Sequence, residues 1–190
     1  MSQDTPRIYV ASLSDYNNGV LHGAWIDADQ EPDQIYAEVA AMLATSPVTG
    51  KFGEVAEEYA IHDYDGFPGE LELGEWESFE RLHDIAEALS KFPAVVVAHY
   101  FTDNPKMDAA DVVALIEDQF VTTVTDEVDE REAVANVAYD YISESDDLPQ
   151  QYQAHQMAIA RSMANDWMCG GDYGALYEGA GVWHVLNYSA

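Results

Sequence analysis

Apolar and polar positions alternate at the start of the chain, then settle into a helical period, and the two patterns keep exchanging to the end. Arg7 to Leu13 (RIYVASL) and Val20 to Asp27 (VLHGAWID) are rich in β-branched and aromatic residues and are predicted as strands. Asp15-Tyr16-Asn17-Asn18-Gly19 separates them, and Asn-Gly is a strong hairpin signal because both residues tolerate positive φ. Pro32 suits a first helical turn. After it Ile35, Tyr36, Val39, Met42 and Leu43 recur at helical spacing, with Pro47 and Gly50 ending the helix. Glu57 to Tyr64 (EEYAIHDY) is predicted as a third strand, closed by Asp65-Gly66 and Pro68-Gly69. Residues 1–74 therefore read β-β-α-β.

Residues 75–117 read as a helical unit. Trp76, Phe79, Leu82, Ile85, Ala86 and Leu89 form one apolar face. Glu77, Glu80, Asp84 and Glu87 fall within about 80° of one another on the opposite side of a helical wheel. Ala94 to Phe101 (AVVVAHYF) is ambiguous, since its β-branched residues favour a strand but a short apolar run has no diagnostic period. From Asp108 to Asp118 a helix is predicted with Val112, Leu115 and Ile116 inward and Asp108, Asp111 and Asp118 outward. Residues 118–190 read α+β. Phe120 to Thr125 is a strand, and a helix follows with Ala133, Val134, Val137, Ala138, Tyr141 and Ile142 on one face. Pro149 precedes a helical stretch to about Trp167, Gly170 to Gly174 reads as a loop, and Ala175 to Tyr188 as a hairpin turning at Gly179-Ala180-Gly181. The predicted class is α+β, in three small units in series. There is no internal repeat and no low-complexity segment.

Charge changes the picture. Thirty-six Asp and Glu face seven Lys and Arg in 190 residues, a formal net charge of −29 and a pI near 4.1. A direct nucleic-acid binder needs clustered cations to replace counterions around phosphates, and none exists here. Anionic membranes are excluded as partners on the same ground. A partner should be basic. The longest apolar run, Ala94 to Ala98, is too short to span a bilayer. The N-terminal MSQDTPRIYV lacks the layout of a signal peptide, so a cytoplasmic protein is expected.

Catalytic signals are sparse. The six histidines form no spaced ligand pair. His62-Asp63 with Asp65 could hold a metal, although a strand ending in an Asp-Gly turn explains it as well. The glycines of Gly170 to Gly174 lack the Lys and Ser/Thr of a phosphate-binding loop. The single cysteine, Cys169, has no basic neighbour in sequence to lower its pKa and reads as a buried bystander. No disulfide within the chain, no cysteine-rich zinc site and no cofactor are expected. Base-free windows carry the remaining signal: residues 52–80 hold ten acids and 107–130 hold eight. Solubility needs a net charge of only about 2 to 8 in a small domain. Twenty-nine uncompensated charges match about 50 Å of B-DNA, or roughly 15 base pairs. A helical stripe spaces carboxylates about 4.5 to 6 Å apart, sparser than a DNA strand at about 3.4 Å. Imitation of DNA would therefore take several elements side by side.

The residues Ile8-Tyr9-Val10-Ala11-Ser12-Leu13, Tyr16-Asn17-Asn18-Gly19, Gly23-Ala24-Trp25 and Glu57-Glu58-Tyr59-Ala60-Ile61-His62-Asp63-Tyr64 resemble the ArdA antirestriction proteins of conjugative plasmids, transposons and phages. Ala133 to Glu144 and the aromatic C-terminal hairpin match more loosely, and Met157 to Gly174 departs from the family's pattern. The resemblance implies an elongated, non-enzymatic acidic DNA mimic, dimeric through its C-terminal unit. It implies inhibition of type I restriction-modification enzymes at the DNA groove of their methyltransferase core, and a helix over residues 94 to 101. No catalytic residue carries over. The expected contact charges are Glu57, Glu58, Asp63 and Asp65; Glu77, Glu80, Asp84 and Glu87; Asp108, Asp111 and Asp118; and Asp126, Glu127, Asp129 and Glu130. Two readings compete with it: acidity serving only solvation in a salt-adapted organism, and a metal-dependent enzyme built on His62, Asp63 and Asp65.

Overall fold

The computed structural model describes residues 5–52, 55–145 and 148–190. The chain divides into two compact units, Met1–Val113 and Ala114–Ala190. Each is built on a small antiparallel sheet with helices, and the fold is α+β.

In the first unit, β1 (Arg7–Ser12) is the central strand. It pairs on one side with β2 (Gly23–Asp27) and on the other with β3 (Tyr59–Asp65), with a bulge between Tyr9 and Val10. The β1–β2 connection is not a tight Asn-Gly hairpin. A short helix, α1 (Leu13–Asn17), intervenes, and Gly19 at φ +75° follows it. Ser12 caps this turn by accepting from the Asp15 N–H, which competes successfully with an extended backbone. Gly23 is required by packing: a Cβ there would lie 2.5 Å from the Val10 carbonyl oxygen.

Helix α2 (Pro32–Ala44) begins at the expected proline. Pro47 does not merely end it, because a second helix, α3 (Pro47–Phe52), starts there. This also corrects the reading of Gly50 as a terminator. The buried Asp15 ties α1 to α3 by accepting from the Val48 N–H at 3.0 Å. Ile8, Val10, Ile26, Ile35, Val39 and Ile61 form the core between sheet and α2, joined by Phe79 and Leu82 from α4 (Phe79–Lys91).

Ser78 caps α4 by accepting from the Arg81 N–H, so the helix starts three residues later than its apolar stripe suggests. Trp76 is therefore not on the helix, and it is 69% exposed rather than part of the apolar face. The ambiguous run forms α5 (Ala94–Asp103). Val96, Val97, Tyr100 and Phe101 share its buried face, and that tertiary demand overrides their β propensity. Helix α6 (Ala109–Gln119) buries Val112 and Ile116 and spans the division between the units.

In the second unit β4 (Phe120–Val124) is followed by α7 (Glu130–Glu144), a 3₁₀ turn at Gln150–His155, and α8 (Gln156–Gly170). The hairpin β5 (Tyr173–Gly179) and β6 (Val182–Asn187) completes it, with strand order β4-β6-β5. Small residues, Ala133 and Ala138 on α7 and Ala160 and Ala164 on α8, are fully buried where these helices pack. Tyr141 lies off that face at 63% exposure, since the helical spacing of Ala138 and Ile142 turns it outward, its ring edge toward Trp167. The expected loop at Gly170 to Gly174 is shorter than predicted. Gly170 still belongs to α8, Gly171 at φ +81° ends it in a left-handed cap, and Gly174 is already in β5. Cys169 is exposed, not buried, because α8 turns Ala160, Ala164, Trp167 and Met168 toward the core and Cys169 away from it.

Burial alone would raise the pKa of Asp15, but hydrogen bonds from Ser12, Ser46 and Val48 and the field of His22 hold it below the ordinary 3.8. A depressed folded value stabilises the protein above pH 3.8 and the benefit disappears as pH falls through the folded value. Asp15→Ala is expected to cost about 1 to 3 kcal/mol at neutral pH by stranding the Val48 N–H. In urea melts its deficit against wild type should shrink as pH falls below 3.8, leaving the part due to the stranded N–H.

Candidate functional site

The carboxylates expected to act as contact charges separate into two groups once their partners are seen. One group has structural work. Asp65 is bound by Arg7, whose guanidinium donates at 2.9 and 2.7 Å and also lies 5.0 Å from the Trp25 ring. Glu77 lies before α4 rather than on it; it accepts from the Gly74 N–H and pairs with Arg81 at 3.6 Å. Asp129 caps α7 by accepting from the Glu132 N–H at 3.0 Å. Glu127 accepts from the Asn136 amide at 2.7 Å, and Glu130 accepts from the Ala175 N–H at 3.0 Å, tying α7 to β5. Asp63 accepts locally from the Tyr64 N–H. Asp126 adopts φ +66° next to Thr125, whose hydroxyl donates to it at 3.4 Å.

The other group is exposed and has little cationic compensation. Glu80 and Glu87 project from α4, Glu87 with Lys91 at 3.5 Å and Glu80 accepting at 3.5 Å from the Tyr36 hydroxyl. Asp84 lies between them on the same helix and is half-buried. Desolvation raises its pKa; His83 opposes this, while Asp108, Glu87 and Glu80 push it higher. The stripe thus survives on α4 as Glu80, Asp84 and Glu87, and Asp108 joins it from just before α6. Asp111 and Asp118 are exposed on α6.

Glu57 and Glu58 precede β3 and are exposed. With Glu75 and Glu77 they rim a cleft of about 470 Å³ that is also lined by Leu13, Tyr59, Ile61 and Trp76. Neither Glu75 nor the exposure of Trp76 was read from the sequence. Glu75 lies in a base-free window, but only the strand-like bond from the Ile61 N–H to its carbonyl (3.0 Å) sets it beside β3. Asp15 was missed too, although Ser12-x-x-Asp15 has the spacing of a helix-capping pattern.

His62 stacks edge-on against Tyr16 at 5.0 Å, Asp63 turns back to its own backbone and Asp65 to Arg7. Among the described residues no three His, Cys, Asp or Glu are grouped to hold a metal ion. No helix in the described residues is long and apolar enough to cross a membrane.

The fold is α+β, and carboxylates stand exposed on its helix faces in a chain of strongly acidic balance. The family model for "Antirestriction protein (ArdA)" matches residues 8–181, and the chain belongs to the ArdA family. No curated protein sequence matches it. The match gives no support to salt adaptation as the reason for the acidity.

Because Asp84 has a raised pKa, its ionised form opposes folding at neutral pH, and the strain is relieved as pH falls toward 3.8. Asp84→Asn is expected to raise Tm by about 1 to 3 °C at low salt and neutral pH. The gain should shrink with added salt and disappear near pH 4, read by calorimetry across a salt and pH series.

Proposed function

We propose that this protein inhibits type I restriction-modification enzymes by presenting a DNA-like field of carboxylates to the DNA groove of their methyltransferase core. The observation that carries this reading is the group Glu80, Asp84, Glu87 and Asp108: Asp84 feels the negative charge of the other three, with His83 opposing them and Lys91 paired to Glu87. Like charges so arranged destabilise a fold, and a basic groove relieves them by releasing the counterions on both sides. Glu57, Glu58, Asp111 and Asp118 extend the same display. Asp63, Asp65, Glu77, Asp126, Glu127, Asp129 and Glu130 add to the field while also holding the fold.

The mechanism is stoichiometric occupation. It needs no cofactor, metal or catalytic residue, and the protein acts in the cytoplasm where its target works. Its partners are the enzyme and a second copy, joined through the C-terminal unit; it binds neither nucleic acid nor membrane. The division into units at 1–74, 75–117 and 118–190 belongs to this reading, each unit carrying one stretch of the charge track.

Titration into a type I restriction reaction, scored for cleavage and methylation, tests it. Inhibition should saturate near one inhibitor per enzyme site. Single carboxamide substitutions should shift half-inhibition by less than about threefold. E80Q/D84N/E87Q/D108N together should weaken it at least about tenfold and lower the salt slope by up to roughly one unit per removed charge. A single such variant that abolished inhibition while remaining folded would contradict a distributed field.

A further inference from the structure

We infer that the cleft beside β3 is a receptor for an arginine side chain of the enzyme, with Trp76 as the anchor. The inference rests on the proposed mimicry, since the arginine is one that would otherwise hold a DNA phosphate. Trp76 is 69% exposed, and among the described residues no aromatic ring or cation packs on it. The backbone beneath it is braced. The Ile61 N–H donates to the Glu75 carbonyl at 3.0 Å, and the Tyr64 hydroxyl donates to the Gly74 carbonyl at 2.6 Å. The Gly74 N–H donates to Glu77, and the α4 cap follows at once. A large ring held in water on a rigid turn is already ordered for binding, and tryptophan is enriched among residues that dominate interfaces.

The occupant follows from charge. Glu57, Glu58 and Glu75 have no basic partner among the described residues. They border a cleft of about 470 Å³, within the usual range of roughly 300 to 1,000 Å³ for ligand sites. Apolar and aromatic lining beside carboxylates suits a planar, weakly hydrated cation with an alkyl stem. Arginine meets that description better than lysine, because it stacks on rings and donates to carboxylates in a fork. The protein's own Arg7 shows the arrangement, lying 5.0 Å from the Trp25 ring and bound to Asp65 at 2.7 Å. Phosphate contacts in a DNA groove are made largely by such side chains.

The test is equilibrium binding of the full chain to a purified type I methyltransferase core across a salt series. Trp76→Ala should weaken binding roughly ten- to thirtyfold at every salt concentration with the salt slope unchanged. Trp76→Phe should retain most of the affinity. Trp76→Arg, which places the protein's own cation in the cleft, should lose at least as much as the alanine variant. E57Q/E58Q/E75Q should weaken binding and lower the slope. Trp76→Ala and Trp76→Phe should melt with wild type, and the two charge-changing variants no lower than it, since these side chains leave the core untouched. Trp76→Ala or Trp76→Arg binding within twofold of wild type would overturn the arginine receptor and leave the mimicry standing. Failure of the wild type itself to bind the core at low salt would overturn both, before any variant is compared.

Discussion

Mutual repulsion among the carboxylates is the constraint around which the rest of this protein is arranged. Thirty-six acids against seven Lys and Arg leave a field that opposes every compact state. The buried apolar residues of each unit resist it. In the first unit, β-branched residues from the sheet meet α2 and α4 with Ile8, Ile35 and Leu82 completely buried. In the second, alanines bring α7 and α8 close enough to pack along their length. Four of the cations are fixed to acids at particular joints: Arg7 to Asp65, Arg81 to Glu77, Lys91 to Glu87 and Arg161 to Glu132. Salt bridges of this kind add little individually. Their effect is to fix where these positive charges lie, none of them paired to Glu57, Glu58 or Glu75.

The acids consequently do two kinds of work. Asp15, Glu127, Asp129 and Glu130 accept from backbone or amide N–H groups and so tie the fold together, Asp15 at a buried one. They are needed for the fold before they are available to a partner. Glu80, Asp84, Glu87 and Asp108 do the opposite, since they are crowded together at some expense to stability. A protein selected for stability alone has no reason to keep them so, whereas a protein that meets a basic groove does.

Much of the architecture was legible because local signals and tertiary demands agree in most elements. Pro32 opens a helix, the β-rich runs at Arg7 and Tyr59 pair, and Gly179 to Gly181 turns a hairpin. Where they disagree, packing or capping decides. Ser78 captures the start of α4 and puts Trp76 in solvent; the buried face of α5 overrules β-branched residues; Asp15 turns an Asn-Gly hairpin into a helical connection. The candidate surface was legible in its charge but not in its sorting. A one-dimensional pattern shows that Glu77 and Glu130 are acidic, while the tie of Glu77 to Gly74 depends on a local turn and that of Glu130 to Ala175 on a distant strand. The cleft at Trp76 was invisible for the same reason, since it needs β3 and the segment before α4 to run side by side.

Competition with duplex DNA tests the central claim most directly. A labelled duplex carrying the recognition site would be bound to a type I methyltransferase core, and the unlabelled protein titrated in at several salt concentrations. The account predicts complete, mutually exclusive displacement, with an affinity for the core that falls log-linearly with salt as that of the duplex does. A ternary complex retaining the duplex, or displacement insensitive to salt, would contradict it.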